Sequence, residues 1–123
     1  MSAEASSGGS SDCLFCGIVA GRVPAAVVAE NAQGLAFRDI NPQAPVHVLV
    51  VPKAHVENAA ALEAEHGSLL ADLFVLARQV AAQEGVLDSG YRLVANVGAD
   101  ALNSVGHLHL HVLGGRRLGW PPG

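Results

Sequence analysis

Residues 104 to 116 read SVGHLHLHVLGGR, and within them histidine alternates strictly with an aliphatic residue. His107, His109 and His111 interleave with Leu108, Leu110 and Val112. A two-residue period belongs to a β-strand, whose successive side chains leave on opposite faces. A helix would align 107 with 111 and turn 109 nearly the other way. Gly106 and the pair Gly114-Gly115 bound the run at strand length. The alternation predicts a strand over 107–113, with one face for an aliphatic core and the other lining something polar. Three imidazoles facing hydrocarbon would leave ring nitrogens without partners, at roughly 1–3 kcal/mol each.

The rest of the chain supplies a frame for that strand. Its 123 residues suit one domain. Half are hydrophobic and only 4% aromatic, so the core is built from Ala, Val and Leu. Eleven acidic against seven basic side chains give a formal net charge of −4, without the broad basic footprint that nucleic acid requires. A small anionic ligand stays open, because a local site can be positive on an acidic protein. No apolar run approaches the roughly 20 residues needed to span a bilayer. Residues 1–12, MSAEASSGGSSD, carry neither a signal nor a transit layout and read as a disordered lead-in. These features predict a soluble cytoplasmic protein.

Ser11 and Asp12 offer N-cap oxygens to a short helix through CLFCGIVA, with Gly21 at its end. AAVVAE and GLAFRDI flank the turn-prone ENAQG and read as a hairpin. VHVLVVP, bounded by Pro45 and Pro52, is a central-strand candidate with His47, Leu49 and Val51 on one face. One long helix starts near residue 67, with Leu69, Leu70, Leu73, Leu76, Ala77 and Val80 at helical spacing and Gly85 at its end. YRLVANVG is a further strand, ADALNSVG a loop, and GGRRLGWPPG an extended tail. The class is α+β with an antiparallel sheet. A dinucleotide-binding arrangement is excluded, since no glycine fingerprint follows a strand.

Two chemistries suit a histidine-lined strand. Two rings and a third ligand can hold a metal with an open position, although neighbouring same-face positions stand about 6.6 Å apart, so three rings in a row converge poorly on one ion. Alternatively His109 is a nucleophile toward phosphorus, its neighbours setting its tautomer and holding phosphate oxygens. Ser104 could then donate a hydrogen bond to the leaving group, which helps a P–N bond most because the amine must gain a proton. The pair Cys13 and Cys16, in CLFC, fits a redox pair, half a zinc site or two small buried hydrophobes.

The run His107-Leu-His109-Leu-His111-Val-Leu resembles the motif of the histidine triad (HIT) superfamily. Together with CLFCGIVAGRVPA, LAFRDINPQAPVHVLVVPKAH, GYRLVANVG and HVLGGRRLGWPPG in order, the chain is similar to the Hint branch, the histidine triad nucleotide-binding proteins. The resemblance implies a HIT domain over 13–123, with a five-stranded antiparallel sheet, one long and one short helix, and a homodimer joining two sheets into ten strands. It implies hydrolysis of purine nucleoside 5′-phosphoramidates and aminoacyl-adenylates to the nucleoside monophosphate. The alternative is a nucleotide-binding scaffold in which hydrolysis is incidental.

By that resemblance His109 is the nucleophile, and His107, His111 and His47 complete the imidazole network. Asn96, Ser104 and Val105 match positions at the α-phosphate or its leaving group, and Asn103 lies in the same nucleotide-binding loop. Asp39 matches the carboxylate on the ribose hydroxyls, although a turn cap at INPQ would also suit it. Phe15, Ile18, Phe37, Arg38, Ile40 and Leu49 match the purine walls. Trp120 matches a residue reaching the neighbouring subunit's site. No cofactor is implied for catalysis. A structural zinc is implied on Cys13, Cys16, His55 and His107. Two departures stand out. Ala101, Leu102 and Asn103 replace small glycines and a glutamine, and Gly106 replaces an aromatic, which should open one wall on the leaving-group side.

Overall fold

The computed structural model describes residues 12–123, so all of the expected lead-in except Asp12 lies outside the described residues. In chain order the elements are α1 (Leu14–Val19), β1 (Val27–Glu30), β2 (Gly34–Arg38), β3 (Val46–Pro52), α2 (Gly67–Gln83), β4 (Tyr91–Val94) and β5 (Leu110–Gly114). The strands form one antiparallel sheet in the order β1-β2-β3-β5-β4. The β-branched run of β3 takes the centre, and every one of its residues is buried.

Alternation along β3 and β5 sorts the chain into two apolar layers. Val46, Val48, Val50, Leu108, Leu110 and Val112 face α2 and pack with its Leu69, Leu73, Leu76, Ala77 and Val80. On the opposite face Leu49 and Val51 pack with Phe15 of α1 and with Leu35 and Phe37 of β2. The sheet is therefore covered fully by one long helix and only partly by one short one. What α1 leaves uncovered is where the histidines lie.

Backbone chemistry closes both helices alike. Gly21 and Gly85 adopt φ of +78, and bonds from Arg22 N to Gly17 O and from Val86 N to Ala81 O complete six-residue terminal loops. At the start of α1 the cap is Cys13, whose Sγ accepts from Cys16 N at 3.3 Å, one residue after Asp12, one of the two expected caps. In the hairpin, Asn31 Oδ1 accepts from Gly34 N while its Nδ2 donates to Asp72 O, tying the turn to α2. At the end of β5, a Cβ on Gly114 would stand 3.1 Å from Val86, and just beyond it one on Gly115 would stand 2.8 Å from Pro45. Gly115 leaves no room for a side chain, and Gly114 only what a small shift of Val86 allows.

The histidine strand begins later than its alternation predicts. Ladder pairing with β3 runs from Val50↔Leu110 to Val46↔Gly114, so His107 and His109 precede the strand proper. The cause is Pro52, which has no N–H to offer the ladder. Its carbonyl instead accepts from His107 Nε2, and Leu108 N bonds to Val56 O. The alternation of faces survives, since Leu108 joins the α2 layer and His109 the opposite side.

Candidate functional site

Each histidine on this face carries a different hydrogen-bond pattern, set by main-chain atoms for His47, His107 and His109 and by the His47 ring for His111. His109 Nδ1 lies 2.7 Å from the carbonyl of His107. A carbonyl only accepts, so Nδ1 holds the proton and Nε2 keeps its lone pair. His109 is buried but for 8% of its surface and lines a pocket of about 370 Å³. Volumes of this order suit small ligands.

His47 accepts the backbone N–H of Gln43 on Nδ1 at 3.0 Å, which places its proton on Nε2. That Nε2–H donates to His111 Nδ1 at 2.9 Å. His111 therefore carries its own proton on Nε2, a buried donor with no hydrogen-bond partner among the described residues. Burial, then His109 and His47, hold the His111 pKa down to about 4 against the pull of Asp39. Burial likewise lowers that of His47, with Asp39 opposing. Both rings are neutral near pH 7, poised to donate rather than to repel one another.

Asp39 serves two partners: Oδ1 accepts from Asn41 N at 2.8 Å, the turn cap, and Oδ2 stands 3.4 Å from His47 Nε2. The pocket gathers Phe15, Ile18, Phe37, Arg38, Asp39, Ile40, Leu49, Ser104, Val105, His109 and His111. Arg38 belongs to it only in part, because its guanidinium forms a two-pronged pair with Glu84 at the end of α2. Leu14, Val23, Pro24 and Ala25 also line the pocket and escaped the sequence reading. For Val23, Pro24 and Ala25 the only signal is RVPA following the helix, where Val23 packs so tightly that a Cβ on Gly17 would come within 2.8 Å. Gln43, which sets the His47 tautomer, carries no sequence signal because its backbone does the work.

Asn96 and Trp120 do not join this pocket. They line a separate depression with Leu93, Val94 and Pro122 beside the edge strand β4, and Trp120 is 83% exposed. Asn103 is half-buried, with Oδ1 lacking a hydrogen-bond partner among the described residues. Nor does Gly106 open a wall: a Cβ there would meet Glu57 Oε2 at 2.7 Å, so that carboxylate already fills the space.

His107 faces away from its two neighbours. Fully buried, it donates Nε2–H to Pro52 O at 2.9 Å, leaving the Nδ1 lone pair toward Cys13 Sγ at 3.3 Å and Cys16 Sγ at 3.4 Å. His55 Nδ1 lies 3.2 Å from Cys16 Sγ. The four ligand atoms fall within 4.8 Å of one another. Tetrahedral bonds of about 2.0 Å to nitrogen and 2.3 Å to sulfur would separate such atoms by about 3.5 Å, so this set fits a divalent cation. The carbonyl bond on His107 Nε2 is the outer contact that orients a ligating imidazole. Without a cation, burial and then Cys13 push the Cys16 thiol up to about 11.

Asp39, His47 and His111 form a second close group. It fits a cation poorly, because metal on His47 Nε2 would move that ring's proton onto Nδ1, against the N–H of Gln43. The three triad rings thus do not converge on one ion. His107 belongs to the cysteines, His109 to the pocket and His111 to His47.

The family model of the HIT domain matches residues 20–118. An uncharacterised HIT-like protein of Synechococcus elongatus is 49% identical over 114 residues, covering 93% of this chain and 99% of its own. A HIT family hydrolase from Legionella pneumophila has a similar solved structure, with TM-score 0.88 and 47% identity over 91% of this chain and 100% of that one. A histidine triad nucleotide-binding protein from Candida albicans gives 0.74 and 30%, over 89% of this chain and 82% of its own. With the alternating histidines, the five-stranded sheet and these matches together, the chain belongs to the HIT domain family.

Proposed function

We propose that this chain is a Hint-type hydrolase of purine nucleoside 5′-phosphoramidates, aminoacyl-adenylates included, releasing the nucleoside monophosphate. One observation carries the reading. The His107 carbonyl holds a proton of His109 on Nδ1, so that Nε2 is the nitrogen whose lone pair can attack beside a pocket of nucleotide size.

His109 Nε2 attacks the α-phosphorus as the P–N bond breaks, and the electron pair leaves on the amine nitrogen, which takes a proton from solvent. Ser104, exposed at the pocket, donates a hydrogen bond to that nitrogen. Water then attacks phosphorus, the P–Nε2 bond breaks with its electron pair returning to Nε2, a water proton passes to solvent, and neutral imidazole is restored with the nucleoside monophosphate. His111 Nε2–H meets a non-bridging phosphate oxygen, which gives its buried donor a partner. Asp39 Oδ2 accepts from a ribose hydroxyl. Phe15, Ile18, Phe37, Ile40 and Leu49 wall the base, and Val105 closes the phosphate end. Zinc fits Cys13, Cys16, His55 and His107, where it would cross-link chain segments and supply no chemical step.

A homodimer completes this reading. The edge strand β4 and the outward Phe74 and Val75 of α2, each about half exposed, suit a second copy. That copy would bring Trp120 and Asn96 toward a phosphate site that one chain leaves them apart from. The thiols of Cys13 and Cys16 suit a reducing, cytoplasmic compartment. Among the described residues, no helix is long and apolar enough to cross a membrane.

The test is turnover of adenosine 5′-phosphoramidate, with acid-labile nucleotidyl-histidine trapped in mid-reaction. His109→Ala should lower the rate at least 1,000-fold while leaving the circular dichroism spectrum intact. Wild-type turnover in that variant would refute the mechanism. If hydrolysis is negligible in the wild type while adenosine monophosphate binds, the scaffold alternative replaces it.

A further inference from the structure

The metal cluster and the nucleotide pocket share α1. Its six residues begin between Cys13 and Cys16, and Phe15, held between those two cysteines in sequence, points into the pocket. The Phe15 ring meets Phe37 at 5.4 Å and His109 at 5.2 Å, both edge to face. Leu14 and Ile18, on either side of Cys16, line the same pocket. So short a helix is unstable alone and takes its position from its anchors. One anchor is the apolar packing of Phe15 on the sheet; the other is the pair of sulfurs facing His107 and His55.

We infer that the Cys13–Cys16–His55–His107 cluster is a clamp on the purine wall, so that divalent metal and nucleotide bind with positive linkage. This rests on the nucleotide reading above and goes beyond it in naming what sets the affinity of the pocket. Cys13, Cys16 and His55 act as positioning residues, through α1 and Phe15, without touching nucleotide. The tautomer of the nucleophile is insulated from the clamp, although its ring touches Phe15. His107 stays anchored by its bond to Pro52 O whether or not a cation sits on Nδ1, so the carbonyl that orients His109 keeps its place. Loss of metal therefore frees the wall and spares the tautomer of the attacking ring.

Linkage is reciprocal, which gives a test that does not depend on turnover. The affinity of the full chain for adenosine monophosphate is measured with zinc loaded and after chelation. Zinc affinity is then measured, by competition with a chelator, with and without adenosine monophosphate. The expected result is about a tenfold loss of nucleotide affinity without zinc, with nucleotide tightening zinc by the same factor. His55→Gln, which keeps both cysteines and His107, should show the same nucleotide loss and an unchanged fold. In steady state its KM should rise with kcat within about threefold.

Equal nucleotide affinity in loaded and stripped protein would overturn the inference, as would failure to take up zinc. Global unfolding on chelation, seen by circular dichroism, would also overturn it, since the clamp is local. If zinc-loaded protein binds no nucleotide at all, the functional reading itself fails, an outcome distinct from the other three.

Discussion

Leu102 holds φ +61 and ψ +33, the left-handed region, with a γ-branched side chain that is 86% exposed. An L-residue there costs roughly 1–2 kcal/mol, because Cβ crowds the following carbonyl. Glycine removes the clash but adds freedom to the unfolded chain, returning roughly 0.5–1 kcal/mol of that gain. Leu102→Gly should therefore stabilise the chain by about 1 kcal/mol. For a domain of this size that raises the thermal midpoint by about 3–5 °C, with a matching shift in urea. Leu102→Ala keeps Cβ and discards only solvated carbons, so it should shift the midpoint by less than about 1 °C. The two variants separate backbone strain from exposed apolar surface. Equal gains from alanine and glycine would refute the strain argument. A loss on going to glycine would mean that the leucine side chain is packed, and the loss should then grow with protein concentration if a second copy covers it.

Ser104→Ala should slow P–N cleavage about 10- to 100-fold while adenosine monophosphate binds within twofold of wild type; an unchanged rate removes the proton-donor role. Acid should destabilise the fold through His111, whose pKa of about 4 lies below its usual 6.5. Because the folded value is depressed, the contribution is complete above pH 6.5 and is lost as pH falls toward 4. A fall from 6.5 to about 4 sets an upper limit of about 3 kcal/mol on this contribution, and urea unfolding across that window should be flatter in His111→Gln. Gly115→Ala places a Cβ at φ +89 against Pro45 and should destabilise by about 2–4 kcal/mol, read as a fall in the urea midpoint. Turnover at saturating substrate should persist in excess chelator, whereas its abolition would make the cation catalytic.

The two-residue period of the histidines was legible because strand geometry has no other way to satisfy it, and the leucines do join the core beneath α2. The long helix, the hairpin and the central β3 follow from the same reasoning about periodicity and turn residues. Legibility ends where backbone atoms act. Neither the stop at Leu110, caused by Pro52, nor the Gln43 N–H on His47 leaves a trace in side-chain pattern. Cys13 as a helix cap is hidden for another reason, since sulfur is a weak acceptor and serves here because the cluster already holds it. Glu57 against Gly106 joins segments almost fifty residues apart, which no local rule connects.

The protonation addresses of three rings on this face are written in peptide groups, Gln43 for His47, Pro52 for His107 and His107 itself for His109, and His111 takes its own from His47. Side-chain exchange elsewhere can alter how much the rings are solvated but cannot rewrite those addresses. Changing which nitrogen attacks would take an insertion or deletion that slides one segment past another. Point substitution can thus broaden the choice of base or leaving group freely, while the attacking chemistry drifts only when the chain changes length.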